Sequence, residues 1–327
     1  MSRANAGPEA PRVDCLSVGI LVADHLCTPI SHLPKAGELV LADRLSLTIG
    51  GCASNVAMNL ARQRVNVGVV GCVGDDSFGQ FIIDTLQRAG ARTEGVHRLA
   101  GIDTSGTLII NVAGDDRRFI HSVGANAHLA IEHLPLDALG ACRVLYIGGY
   151  LLLPALDPPR LAELFRRARA AGVVTVLDVV IPGPGDYRSQ LDPLLPETDV
   201  FLPNTDEAAL LTGAHDPRQQ AQRLHAAGAK TVVITCGSSG TIVAGPDERL
   251  FAEAHRVPFV GGTGAGDAFT SGYIAGLLDG GDTRQCLAWG SALGASCVRS
   301  ISATESVFTR DEALAFMREH PLRIETW

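Results

Sequence analysis

The densest chemical signal in the chain is Gly261-Gly262-Thr263-Gly264-Ala265-Gly266-Asp267-Ala268-Phe269, a glycine-rich turn that runs directly into an apolar helical pattern ending near Leu278. Glycine lets a ligand lie against bare backbone. The free N–H groups at a helix start, with the helix dipole behind them, make a place for phosphate oxygens. A carboxylate at Asp267, in the first helical turn, repels such an anion unless it has a task, and accepting the proton of an attacking hydroxyl is such a task. An isolated first-turn acid does no more than favour the dipole. The glycines and small residues crowded before Asp267 weigh against that bland reading.

Other residues could complete a site. Gly50-Gly51 precedes a helix beginning near Ala53, where a glycine pair lets a polyol approach backbone, and Asn55 offers both a donor and an acceptor to sugar hydroxyls. Asn204 and Glu207 follow an apolar strand and open a helix, so both side chains can reach the mouth of a sheet at its carboxyl end. Taken alone, that pair reads as a cap, with Glu207 reaching back to Asn204.

The elements that position these residues follow from hydrophobic patterning. Apolar runs at 13–22, 67–73, 144–148, 173–178, 200–203 and 231–235 read as strands. Period-3.6 stretches at 53–64, 78–88, 160–171 and 217–227 read as the helices between them, and the last third is helical at 264–278, 283–298 and 310–319. This alternation describes an α/β fold with a mostly parallel sheet covered on both faces. Two stretches, 38–48 and 104–122, alternate polar and apolar residues as half-exposed antiparallel strands do, and Gly114-Asp115-Asp116 is a hairpin turn inside the second. We expect one domain over 1–327 with a small inserted β lid at roughly 24–48 and 100–123, and a flexible tail at 1–12.

Composition narrows the class. A net charge of −8 and the lack of a basic stripe argue against a nucleic-acid or anionic-membrane partner. The eight cysteines show no CxxC and no zinc spacing, and read as small buried hydrophobes in a reducing compartment. The polar N-terminus lacks the apolar core of a secretory signal, and the longest apolar run, 144–156, is interrupted and too short to span a bilayer. The expectation is a cytoplasmic protein. Lys35 and Lys230 are the only lysines and neither lies in a P-loop, and no GxGxxG follows a strand, so phosphate must be held by backbone amides, an arginine or metal.

The motif TGAGDAF, with Gly50-Gly51-Cys52-Ala53-Ser54-Asn55 upstream, resembles the two signatures of the PfkB, or ribokinase-like, sugar and nucleoside kinases. The likeness runs from about Val13 to about Thr304, through 71–79 and 204–207. It implies a three-layer α/β/α fold with a lid, and an ATP-dependent kinase that phosphorylates a hydroxyl of a sugar or sugar-like substrate. By this resemblance Gly264, Ala265 and Gly266 form the anion hole and Asp267 is the base. Asp24, Gly50, Gly51 and Asn55 hold the acceptor. Asn204, Thr235, Gly237, Gly240 and Thr263 receive the nucleotide, and Asn204 with Glu207 organises water around Mg²⁺, an ion that keeps most of its waters. Alone, Asp24 reads as a turn residue, and 235–240 as a tight hairpin.

Departures from the family pattern carry information. Gly261 stands where the family often has an Asp that helps hold a monovalent cation, which puts K⁺ activation in doubt. Cys52 replaces the lysine of ribokinases, Tyr150 stands in place of their glutamate, and Asp178-Val179-Val180 departs from Asp-x-Asn, so ribose is not the first choice of acceptor. A nucleoside kinase, adenosine-type or pseudouridine-type, is the alternative. Its discriminator is an aromatic platform for a base, for which the sequence offers Phe119 and Tyr150. An inactive metabolite sensor is the reading from another class, and the intact GAGD argues against it. Arg118 on the flap could approach substrate on closure, although most such arginines are solvated. Exposed lid edges invite a homodimer.

Overall fold

The computed structural model describes residues 13–115, 118–135 and 140–327. The tail expected at 1–12, and Asp116 of the expected hairpin turn, lie outside the described residues. In chain order the strands are β1 (Cys15–Gly19), β2 (Val22–Cys27), β3 (Leu45–Gly50), β4 (Val67–Gly74), β5 (Arg92–Leu99), β6 (Gly106–Ile110) and β7 (Arg118–Ser122). There follow β8 (Val144–Gly148), β9 (Val174–Leu177), β10 (Val200–Phe201), β11 (Thr231–Thr235), β12 (Thr241–Ala244), β13 (Arg249–Ala252) and β14 (Ile324–Thr326). The helices are α1 (Cys52–Arg62), α2 (Ser77–Arg88), α3 (Pro158–Ala170), α4 (Arg188–Leu191), α5 (Thr205–Thr212), α6 (Pro217–Ala226), α7 (Ala265–Leu278), α8 (Thr283–Cys297) and α9 (Arg310–Glu319).

The large sheet runs β14-β13-β12-β11-β10-β9-β8-β1-β4-β5, parallel from β5 to β11 and antiparallel beyond. Its strands are apolar on both faces because both are covered. Successive residues of β1 show this: Cys15 belongs to the core layer that holds Val56 and Leu60 of α1 and Phe269 of α7, whereas Leu16 and Val18 belong to the layer that holds Leu161 and Phe165 of α3. The chain passes from β1 to β4 on one side and from β8 to β11 on the other, so the order reverses around β1, and loops on the carboxyl side of that point form a crevice.

The run expected as one strand over 13–22 is broken. The chain leaves the large sheet after Gly19, and the buried Asn126 side chain clamps Leu21 by accepting from its N–H and donating to its carbonyl, both at 3.0 Å. A solvent-like pair of bonds deep in the core satisfies the backbone where the strand ladder stops. Val22 then begins the second sheet, ordered β3-β2-β6-β7, in which β2 pairs with β6 in parallel although β3 and β7 pair antiparallel. Of the stretch expected as a strand at 38–48, only its end from Leu45 pairs.

Six helices begin at a side-chain cap: Asp76 on α2, Asp157 on α3, Asn204 on α5, Asp216 on α6, Asp282 on α8 and Thr309 on α9. Among described helices of eight or more residues, only α1 and α7 lack one. They start instead after Gly51 (φ 89°) and Gly264 (φ 75°), and their first amides stay free of side-chain acceptors. These two helices pack against each other and bring the two glycine turns together. No described helix is long and apolar enough to cross a membrane.

Candidate active site

The contact between the two turns is a hydrogen bond: Asn55 Nδ2, in the first turn of α1, donates to Asp267 Oδ2 in the first turn of α7 at 2.8 Å. Gly50 brings Asp24 to the same place. A Cβ built on Gly50 would stand 2.0 Å from Asp24 Oδ2, so the Asp24 carboxylate occupies the space that a side chain there would need. Ser54 holds the glycine pair from within α1, its hydroxyl donating to the carbonyls of Gly50 and, at 3.0 Å, Gly51. Across the crevice, Gly264 lies flush against the 299–308 loop, where an added Cβ would be 2.4 Å from that of Ala303. Nothing lies within 4 Å of the corresponding point on Gly266, which faces open space. The Ala265 amide turns to the Gly262 carbonyl at 3.3 Å, so Gly266 presents the less encumbered amide of the turn.

Asn204 and Glu207 form the cap that the residues alone suggest. Asn204 Oδ1 accepts from the Asp206 and Glu207 amides at 2.9 Å, and Glu207 Oε2 accepts from the Asn204 amide at 2.8 Å. Asn204 also bridges to Thr235, whose carbonyl accepts from the Thr205 hydroxyl at 3.1 Å, so this pair and the end of β11 meet. Gly237 and Gly240 close the tight turn after it, with the Cys236 amide donating to the Gly240 carbonyl. The Thr263 carbonyl faces inward and accepts from the Cys297 thiol at 3.4 Å.

Three residues that the sequence marked only as departures, or not at all, complete the centre. The Cys52 thiol and the carboxylates of Asp178 and Asp267 offer ligand atoms that all lie within 4.8 Å of one another, and Tyr146 donates its hydroxyl to Asp178 Oδ2 at 3.0 Å. Asp178 follows β9 at its carboxyl end, the position where α/β sheets collect ligands, and that placement was the available signal. Tyr150, by contrast, is buried at 3% exposure with its hydroxyl on the Gln190 carbonyl at 3.3 Å, which removes it as a platform for a base. Arg118 pairs with Asp115 at 2.6 Å on the outer strand β7.

The electrostatics are one-sided. Burial raises the pKa of Asp267, with the Asn55 amide and Cys52 thiol pulling it back. Burial and the charge of Asp267 raise Asp24 to about 6 against the Thr107 hydroxyl, and burial raises Glu207 to about 7 against the Asn204 amide. Asp178 is pushed well above the carboxylate range by burial and by the charges of Glu207 and Asp267. No basic side chain is among the groups acting on these four. Such a cluster is suited to a cation or to proton transfer, because each charge makes the next harder to add.

The large cavity of about 670 Å³ lies elsewhere, beside Val174, Val200 and Thr231 at the amino ends of β9, β10 and β11. Its cations Arg169 and Lys230 are paired with Asp199, and Arg166 with Glu197.

Residues 13–310 match the pfkB family carbohydrate kinases. The chain belongs to this family. This PfkB kinase is 28% identical over 310 residues to the ribokinase of Haemophilus influenzae, covering 93% of this chain and 97% of that one. It is 27% identical over 332 residues to the 5-dehydro-2-deoxygluconokinase of Clostridium perfringens, covering 95% and 94%. The solved structure of Arabidopsis thaliana ribokinase complexed with ribose and ATP superimposes with a TM-score of 0.81 at 22% identity, covering 94% of this chain and 99% of that one, which establishes the shared ribokinase fold. The PfkB kinase described here is therefore an ATP-dependent sugar kinase of three-layer α/β/α architecture with a second, small sheet.

Proposed function

We propose that this kinase transfers the γ-phosphoryl group of ATP to a hydroxyl of a small sugar or sugar-like substrate, with Asp267 as general base. The observation that carries the reading is the Asn55–Asp267 hydrogen bond, which places the acceptor turn and the phosphate turn around one carboxylate. The acceptor lies against Gly50 and Gly51, where Asp24 and the unpartnered Oδ1 of Asn55 take its hydroxyl protons in hydrogen bonds. Asp267 removes the proton of the attacking hydroxyl, and the Gly264 to Gly266 amides, with Thr263 beside them, face the charge spreading over the phosphoryl oxygens. Thr235, Gly237 and Gly240 line the path of the nucleotide.

Mg²⁺ fits this centre on the chemistry of its donors, since Glu207 and Asp178 are oxygen ligands that no basic side chain offsets. Asn204 and Glu207 would hold it through water; when bound, it neutralises charge on the phosphates. The small sheet acts as a lid that excludes water from the transfer. The face of the small sheet turned away from Asp24 leaves Leu45 and Ile120 at 77% and 63% exposure, which supports a homodimer through the lid. Of the two aromatic side chains that could stack a base, Tyr150 is packed away, which supports a sugar as acceptor, whereas Phe119 stays exposed on the lid face that carries Asp24. Turnover of pentoses, hexoses, keto-acid sugars and nucleosides with MgATP tests this directly: phosphorylation of nucleosides alone, or of nothing, would overturn it.

Three expected results follow from the geometry and charge of this centre. Raised carboxylate pKa values mean that bases needed in the ionised form take up protons unusually early, so kcat/KM should fall as pH drops through about 7 to 6. The folded protein also holds those protons more tightly than the unfolded chain. Stability of the unliganded protein should therefore rise as pH falls from above about 7 toward the ordinary carboxylate range, opposite to the rate. Rate and thermal midpoint measured across the same buffers check both signs. Monovalent cations should not matter. Besides Gly261, the Cys297 thiol donates to the Thr263 and Ala303 carbonyls, and Arg62 Nη1 takes those of Thr304, Glu305 and Val307 at 2.7–3.1 Å. Equal rates in K⁺, Na⁺ and a bulky organic cation are expected, and activation by K⁺ alone would contradict this.

A further inference from the structure

We propose that Cys52, Asp178 and Asp267 form a binding site for a thiophilic divalent cation of the Zn²⁺ type, and that filling it disables the kinase by occupying its base. The inference rests on the reading of Asp267 as base only for its consequence; the binding itself does not depend on catalysis.

The donors are one thiol and two carboxylates, on the first turn of α1, the end of β9 and the first turn of α7, with ligand atoms within 4.8 Å of one another. Tetrahedral Zn²⁺ holds sulfur at about 2.3 Å and oxygen at about 2.0–2.2 Å, which sets donors about 3.5 Å apart. A contraction of about 1 Å brings the present atoms to that spacing, within reach of rotations about the Asp178 and Cys52 side-chain bonds. The fourth donor is the side-chain oxygen of Asn55. Asn55 is 4% exposed, its Nδ2 is fixed on Asp267 Oδ2, and its Oδ1, on the same planar amide, is buried with no hydrogen-bond partner. A buried carbonyl oxygen without a partner marks a place for a ligand, which the sugar hydroxyl fills during turnover and the metal fills in its absence. Tyr146, donating to Asp178 Oδ2, anchors one carboxylate from behind as supporting residues of metal sites do.

The thiol selects the ion. Mg²⁺ demands oxygen donors in octahedral array and keeps its waters, whereas a thiolate favours Zn²⁺ and Cd²⁺. Binding displaces the Cys52 thiol proton to solvent and forms the metal–sulfur bond, with no change of oxidation state. The carboxylate of Asp267 is then a ligand and cannot accept the acceptor proton, while Asn55 Oδ1 is lost to the sugar. Metal and acceptor exclude each other.

Cd²⁺ titrated into the full-length protein, without ATP or sugar, gives a direct readout through its thiolate charge-transfer absorption. One equivalent should bind, Zn²⁺ should displace it, and Cys52→Ser should lose the band. Asp178→Asn, which removes a direct ligand, should weaken binding by at least the roughly 10–100-fold that loss of a ligand's supporting partner costs. Asp267→Asn, which keeps the thiol, should also bind more weakly, so a folding defect of one variant does not decide the matter. Cys236→Ser, at the one cysteine of the eight that is not buried, should bind as the wild type does. A band that survives in Cys52→Ser, a loss that follows Cys236→Ser instead, or no stoichiometric binding would overturn the proposal. Because no turnover is measured, that failure would leave the kinase reading standing, and an inactive kinase would leave the metal result standing.

Discussion

Replacing Asp267 with Asn should yield a folded protein that binds ATP normally and turns over about 10²–10⁴-fold more slowly. The substitution is nearly isosteric. An amide oxygen can still accept from Asn55 Nδ2, so the 2.8 Å link between α1 and α7 survives. What disappears is a proton acceptor, together with one of four mutually repelling acids. Asp24, Asp178 and Glu207, each raised in part by the charge of Asp267, should relax downward, so the thermal midpoint should hold or rise. A group needed only as the hydroxyl loses its proton contributes to the transition state and not to the ground state, so kcat and kcat/KM should fall together with KM unchanged. Near-normal kcat would remove Asp267 from its role, and a collapse of stability would show that its charge is structural.

Gly50→Ala should damage acceptor use and spare the nucleotide. The residue is not in the left-handed region, so alanine can adopt its backbone; the obstacle is space. The new Cβ would stand 2.0, 2.4 and 2.7 Å from Oδ2, Cγ and Oδ1 of Asp24, closer than real Cβ atoms come to anything, and the Asp24 side chain must leave. Displacing a buried, charged hydrogen-bonding group that meets the sugar should lower acceptor kcat/KM by about 10²-fold, or about 2.7 kcal/mol. ATP affinity, set on α7 and β11, should not change. The double variant with Asp24→Ala supplies the check, because removing Asp24 first should make Gly50→Ala almost silent. Full additivity would show that Gly50 acts by some other route.

Much of this was legible in the sequence where a single physical rule governed the segment. β8 and β11 are continuous apolar runs buried on both faces, and their bounds follow from the pattern. The glycine turns before α1 and α7 announce helix starts that no side chain caps. β5, with Arg92, Glu94, His97 and Arg98, is an edge strand whose charges hide its membership in the sheet. β2 was lost because its start is fused in sequence to β1, and the break is imposed by Asn126, which local patterning cannot see. The same holds for the centre. Asp267, the glycine pairs, Asn55 and Asp24 were all named from motifs, yet the grouping of Cys52, Asp178 and Tyr146 comes from three separate elements that meet only when β1, β8 and β9 align. The Asn204–Glu207 cap shows the opposite case: the local rule described its geometry correctly, and the part in metal binding proposed for it rests on what lies across the crevice.

The position of Asp267 between acceptor and phosphate is tested most directly by a crystal structure with a non-hydrolysable ATP analogue, Mg²⁺ and an accepted sugar. A carboxylate oxygen of Asp267 should lie about 2.6–3.2 Å from the acceptor hydroxyl, with the terminal phosphate over the Gly266 amide. A sugar hydroxyl bound out of reach of Asp267, or a phosphate held away from the start of α7, would contradict the account.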